Sequence, residues 1–165
     1  MGIKQKIVCK KGPEAKGPYS PCIKTCENVY ISGQLPLDPE TGKMIAGDIK
    51  AQTRQCLENM KALLKEADME MKYVVKTTVF LKDMDDFSAM NEVYQEYFEE
   101  PYPARSACSV SGLSGGALVE IEAVAIDFRA LEILCAQEEE CCDGSCCCRD
   151  QSISTSSHRF FIQQQ

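Results

Sequence analysis

The chain has 165 residues, 44% of them hydrophobic, and a formal net charge of -7. That much apolar material builds one good core, and length alone argues for a single folded domain. The acidic balance gives no electrostatic reason to expect nucleic acid or an anionic membrane as partner. No apolar run approaches a membrane span, and the opening MGIKQKIVCKKG lacks the apolar centre of a signal peptide. The Met-Gly start hints at myristoylation, but Lys6 stands where that signal wants Ser or Thr. A soluble, intracellular protein of the cytoplasm is expected.

Eleven cysteines suggest a disulfide scaffold until their positions are read. Six of them crowd the C-terminal stretch that starts near Leu131, where acidic, cysteine, serine and glutamine blocks follow one another without a helical or strand period. The organisation expected is therefore a folded domain over residues 1–130 and an appended, disordered, cysteine-rich acidic tail over 131–165. In that tail CCDGSCCC is a weak metal signal, because adjacent cysteines without histidine or spaced pairs do not make a usual thiolate site.

In chain order, the first element is NVYISG at 28–33, a short strand rich in β-branched residues and closed by Gly33. IKAQTRQCLENMKALLKEA follows and places Ile49, Thr53, Cys56, Leu57, Met60, Leu63 and Leu64 on one stripe of a helix, with Asp48 as its N-cap. YVVKTTVFLK at 73–82 is a second strand. DDFSAMNEVYQEYFEE repeats the helical arrangement with Phe87, Met90, Val93, Tyr94, Tyr97 and Phe98, capped by Asp85 or Asp86. RSACSV at 105–110, within PYPARSACSV, alternates like a buried strand, and LVEIEAVAID at 118–127 is the last. Two amphipathic helices interleaved with strands predict an α+β sandwich, with both helices on one face of a mixed sheet. On the last strand Ile121, Ala123 and Ala125 share one face, and Glu120, Glu122, Val124 and Ile126 the other. This second face, half polar and half apolar, suits contact with another subunit.

Several chemistries are excluded from the domain. The only histidine is His158, in the tail, so neither a Ser-His-Asp nor a Cys-His arrangement can form. There is no P-loop, no G-x-G-x-x-G after a strand and no paired cysteine spacing for a metal. What remains is Arg, Glu, Tyr, hydroxyl groups and backbone amides. Arg105 is conspicuous in this set, because a partly buried guanidinium cannot lose its proton and needs an anionic partner. Residue types leave two choices open: an internal ion pair with Glu120 or Glu122, or a fork that grips a substrate carboxylate.

GPYSP (17–21), VYISGQLPLDPETGKM (29–44), VVKTTVFLKDMDDFSAMNEVY (74–94), PARSA (103–107) and EIEAVA (120–125) together resemble the RidA/YjgF family of reactive enamine and imine deaminases, over about residues 7–127. The resemblance implies a chorismate-mutase-like fold and a homotrimer with clefts between subunits. It also implies hydrolysis of 2-aminoacrylate, 2-iminobutanoate and 2-iminopropanoate to 2-keto acids and ammonia, with neither metal nor cofactor. Arg105 would bind the substrate carboxylate and Glu120 would position or activate the attacking water. Tyr19, Ser32, Gly33 and Asn91 would line the cleft. Read apart from the family, Tyr19 is a core tyrosine and Ser32 strand-end turn chemistry.

Two departures concern substrate preference. Ala107 stands where many members carry a cysteine, and Cys108, one residue on, points to the other face. Ser114-Gly115-Gly116 replaces the usual proline after Leu113, which predicts a looser loop. The resemblance also keeps two other functions in view. One is a ribonuclease or chaperone role as described for some members; the other is a binding protein that recognises a small carboxylate without turnover. The acidic charge and the lack of a domain histidine weigh against RNA cleavage.

Overall fold

The computed structural model describes residues 3–9 and 17–133. The chain divides into two units, Met1–Phe128 and Arg129–Gln165. Of the second, only residues 129–133 are described, and they are helical. The tail's cysteine cluster and its expected disorder lie outside the described residues.

The first unit is a six-stranded sheet with strand order β1-β2-β3-β6-β4-β5. Its strands are β1 (Gln5–Ile7), β2 (Cys22–Thr25), β3 (Asn28–Gln34), β4 (Val74–Leu81), β5 (Ala104–Ser109) and β6 (Val119–Ile126). β5 runs parallel to β4, and every other pairing is antiparallel, so the sheet is mixed as expected. The two longest helices are α1 (Ile49–Glu66) and α2 (Phe87–Tyr94). α1 packs on β3 and β6 and against α2. Among the described residues, no helix is long and apolar enough to cross a membrane.

The buried stripe of α1 is the expected one, and Asp48 caps it by accepting from the Ala51 amide at 2.9 Å. Two polar side chains inside that stripe, Gln52 and Asn59, are also buried. Asn59 donates to the carbonyls of Leu35 and Leu37 at 3.0 and 2.9 Å, and Gln52 accepts from the Leu118 amide at 2.8 Å. They satisfy loop groups that would otherwise be buried unpaired. The second helix departs from expectation. It ends at Tyr94 instead of running past Phe98, and Asp86 at its N-cap makes no side-chain cap bond. Capping falls to Asp83, which accepts from the Asp85 amide at 3.0 Å and starts a 3-10 turn over Met84–Asp86 that leads into the helix.

Strand alternation sorts the sheet's two faces. Thr77, Val79 and Leu81 of β4 and Val119, Ile121, Ala123 and Ala125 of β6 are buried toward the helices. The opposite face of β6 carries Glu120, Glu122, Val124 and Ile126, all at least partly exposed. β5 corrects one expectation: five of its six residues are exposed, not buried. It is the edge strand, paired only with β4, and its lead-in carries Pro101 and Pro103, residues that suit an edge because they cannot extend a ladder.

Candidate active site

Arg105 lies on the helix-facing side of β5, next to Thr77 in the parallel register. Its guanidinium carbon stands 4.5 Å from the centroid of the Tyr94 ring and 5.6 Å from that of Phe87, both on α2. Lys50 pairs with Glu92 and Arg54 with Glu96, and Arg105 belongs to neither pair. The internal pair with Glu120 or Glu122 that the residue types allowed is therefore not made. Those carboxylates sit on the far side of the sheet. Asn91 occupies the same α2 stripe as Phe87 and Tyr94, four residues after one and three before the other. It is partly exposed, close in register to the aromatic floor under Arg105.

Tyr94 is held on two sides. Its hydroxyl shares a 2.8 Å hydrogen bond with the fully buried Thr77 Oγ1, and its ring packs at 4.5 Å on Phe98. Burial pushes the Tyr94 hydroxyl above its ordinary pKa, with the Thr77 bond and the Arg105 charge opposing by less. It is a neutral phenol over the working pH range.

The remaining expected residues gather on the other face. Glu120 lies in the register row Cys108, Phe80, Glu120 across β5, β4 and β6. Its carboxylate rests on Gly33, where a Cβ would fall 1.9 Å from Oε1. Only glycine permits so close an approach. A bulge in the β3–β6 pairing between Ile31 and Gln34 brings Gly33 there. Ser32, in the same bulge, donates from Oγ to the Ser20 carbonyl at 2.7 Å and from its amide to the Pro21 carbonyl at 3.0 Å. That ties the 17–21 segment to the strand end, so the reading of Ser32 as strand-end chemistry describes its hydrogen bonding within the chain. Tyr19 in that segment is 53% exposed and is no core tyrosine, because the loop that carries it runs over the surface. Beside this group a groove of about 340 Å³ is lined by Ser20, Tyr30, Ser32, Lys76, Thr78 and Glu122 among others.

Burial, and after it the neighbouring Glu122 charge, raises the Glu120 pKa above the usual carboxylate range. Arg105 does not counter this within one chain, since it faces the helices. Cys108 is on the face of Glu120 and Ala107 on that of Arg105, as strand alternation required. The 114–116 segment is a 3-10 turn in which Gly115 and Gly116 adopt φ of 66° and 75°. Among the described residues, no group of three His, Cys, Asp or Glu side chains is placed to hold a metal. One chain thus displays two groups of expected residues: Arg105 and Asn91 with an aromatic floor on one side, and Glu120, Ser32, Gly33 and the Tyr19 segment on the other. Sequence marks Phe87 and Tyr94 only as members of the apolar stripe of α2, and does not mark Thr77 as part of the site. Their signal was the placement of two aromatics seven residues apart on the helix that connects β4 to β5.

The chain thus carries, on a mixed α+β sheet, a ring-packed arginine on one face and a glutamate of raised pKa on the other. The chain belongs to the RidA/YjgF family, whose family model, described as endoribonuclease L-PSP, matches residues 9–127. It is 52% identical over 123 residues to a RutC family protein of Pyrococcus horikoshii, covering 74% of this chain and 98% of the relative. It is 44% identical over 124 residues to the human 2-iminobutanoate/2-iminopropanoate deaminase, covering 75% of this chain and 90% of the relative. Among solved structures, RidA from an Antarctic Psychrobacter superposes with a TM-score of 0.71 at 45% identity, over 74% of this chain and 98% of that one. Escherichia coli TdcF with bound serine superposes with a TM-score of 0.70 at 38% identity, with the same coverage.

Proposed function

We propose that this chain is a cofactor-independent deaminase that hydrolyses small 2-imino acids and their enamine tautomers, such as 2-aminoacrylate, to 2-keto acids and ammonia. The observation that carries the reading is Arg105, a guanidinium braced on two rings with no carboxylate partner in its own chain among the described residues. The missing anion is the substrate carboxylate, gripped by the guanidinium fork. The likeness to relatives named 2-iminobutanoate/2-iminopropanoate deaminase supports the same substrate class.

Because Arg105 and Glu120 face opposite ways, a single chain cannot bring both to one small molecule. We assign the complete site to the junction of two copies in a closed ring, a trimer as the resemblance implies, where Arg105 and Asn91 of one copy meet Glu120, Ser32, Gly33 and Tyr19 of the next. The exposed edge strand β5 and the half-apolar face of β6 are surfaces that such an assembly would cover.

The chemistry asks little of the protein. The imine carbon is already electrophilic, and an enamine reaches that state by protonation at carbon. Water adds to the C=N carbon, Glu120 takes the proton of that water, and the carbinolamine expels ammonia as the carbonyl forms. Burial and the Glu122 charge raise the Glu120 pKa, which makes its carboxylate a stronger base toward that water. The Gly115-Gly116 turn and Ala107, on the Arg105 face of β5, bear on which side chains fit.

The test is to generate 2-aminoacrylate in situ with a serine dehydratase and follow pyruvate and ammonia, with the protein, without it, and with Arg105→Ala. Acceleration that disappears in the variant supports the deaminase. A folded protein that gives no acceleration but binds a 2-keto acid would replace it with the carboxylate-binding reading.

A further inference from the structure

We propose that Tyr94 is a positioning residue for Arg105, with Thr77 as the anchor that fixes it; this rests on the reading of Arg105 as the carboxylate fork. Three observations join here. The guanidinium carbon sits 4.5 Å over the Tyr94 ring, with Phe87 a second surface at 5.6 Å. Tyr94 is only 5% exposed, and its hydroxyl is bonded at 2.8 Å to Thr77, which is fully buried. Thr77 is the residue beside Arg105 in the parallel β4–β5 register. The strand that carries the arginine's neighbour thus also holds the ring on which the arginine lies.

An arginine on an exposed edge strand has many rotamers open to it, and a fork that wanders grips a carboxylate poorly. The ring restricts it. A cation–π contact uses the flat face of the guanidinium, while its N–H donors lie in the plane, so stacking fixes the group without using the donors that a carboxylate needs. The hydroxyl explains why a tyrosine suits this place: tethered to Thr77, the ring cannot slide along the α2 stripe when ligand enters or leaves. Phe87, partly exposed and farther away, widens the floor but carries no tether.

The experiment compares Tyr94→Leu, Tyr94→Phe and Arg105→Ala with the wild type, reading KM and kcat for the imine substrate and the Kd of 2-oxobutanoate by calorimetry. Tyr94→Leu is expected to raise KM and Kd about fivefold or more, the scale of a lost cation–π contact, with kcat per folded site nearly kept. Tyr94→Phe keeps the ring but loses the tether to Thr77, and is expected to fall between the wild type and Leu. A merely structural role would lower the folded fraction and hence apparent kcat, leaving KM in place. A folded Tyr94→Leu with KM and Kd within about twofold of wild type overturns the proposal, as does a Tyr94→Phe no better than Leu. Should Tyr94→Leu fail to fold, Thr77→Val carries the test, since it keeps the shape but removes the tether: KM is expected to rise about twofold, and an unchanged KM overturns the proposal. If Arg105→Ala binds 2-oxobutanoate as the wild type does, the carboxylate reading falls and this proposal with it. If Arg105→Ala loses binding while Tyr94→Leu keeps it, the positioning role alone falls.

Discussion

Arg105 and Glu120 lie on opposite faces of one sheet, with β4 between their strands. Arg105 pairs in register with Thr77, whose side chain is buried toward the helices, while Glu120 pairs with Phe80, one step out of phase with that buried set. Strand alternation sets this separation, since a side chain does not pass through a sheet. On the proposed reading, chemistry that uses both residues draws them from different chains.

Replacing the arginine separates function from stability. Arg105→Ala removes an exposed side chain with no ion pair among the described residues, only ring contacts, so stability in urea should stay within about 1 kcal/mol of wild type. Steady-state assays should lose about 2–5 kcal/mol of transition-state stabilisation, at least about thirtyfold in kcat/KM. Normal turnover would refute the role of Arg105.

Gly33 tests the placement of Glu120. An alanine Cβ there would lie 1.9 Å from Glu120 Oε1 and 2.7 Å from Cδ, so the carboxylate has to swing away. Gly33→Ala should fold, because the obstacle is the end of a flexible side chain, yet lose about tenfold or more in kcat with 2-oxobutanoate binding largely kept. Unchanged kcat would mean that the position of Glu120 against Gly33 is immaterial.

The pH profile follows from the raised Glu120. A carboxylate whose folded pKa exceeds its unfolded value binds more protons in the folded state, so its contribution favours folding at low pH and is lost as pH rises through the folded pKa. Activity runs the other way, since the base must be ionised: kcat should climb through the raised value. Glu122→Gln removes the second cause of the shift, and the acid limb of the kcat profile should move to lower pH. An acid limb that stays in place, or moves up, would assign it to another group.

Much of this fold is legible in the sequence because it rests on local periodicity. Four of the six strands and the whole of α1 follow from alternation and a 3.6-residue stripe. β1 and β2 were missed: QKI and CIKT are three and four residues long, and their strand character comes from pairing, not from their own pattern. The early end of α2 was missed because its apolar spacing continues through Tyr97 and Phe98 in a non-helical turn, where Tyr97 donates to Glu58 at 2.8 Å. The site's residues were nameable, but their division between two faces was not. Alternation gives each strand two faces without saying which face of β5 matches which of β6; that is set by register through β4.

Asn59 illustrates a polar residue that the apolar stripe of α1 hides. Asn59→Ala would leave the carbonyls of Leu35 and Leu37 without their donor, at a cost of about 2–3 kcal/mol in urea unfolding. A loss below about 0.5 kcal/mol would show that water replaces it freely.

A chain ending at Ala130 tests the proposed division between domain and tail. It is expected to keep both assembly state by sedimentation and deaminase activity, and the loss of either would make the tail part of the working unit.

The most direct measurement mixes two inactive variants. Arg105→Ala and Glu120→Gln are unfolded together in equal amounts, refolded, and assayed beside each variant refolded alone. In a ring with sites between copies, an Arg105-bearing chain from one variant meets a Glu120-bearing chain from the other at about a quarter of the junctions, so about a quarter of wild-type activity should return. Mixed rings, verified by mass, that stay as inactive as the separate variants would contradict a site shared between chains.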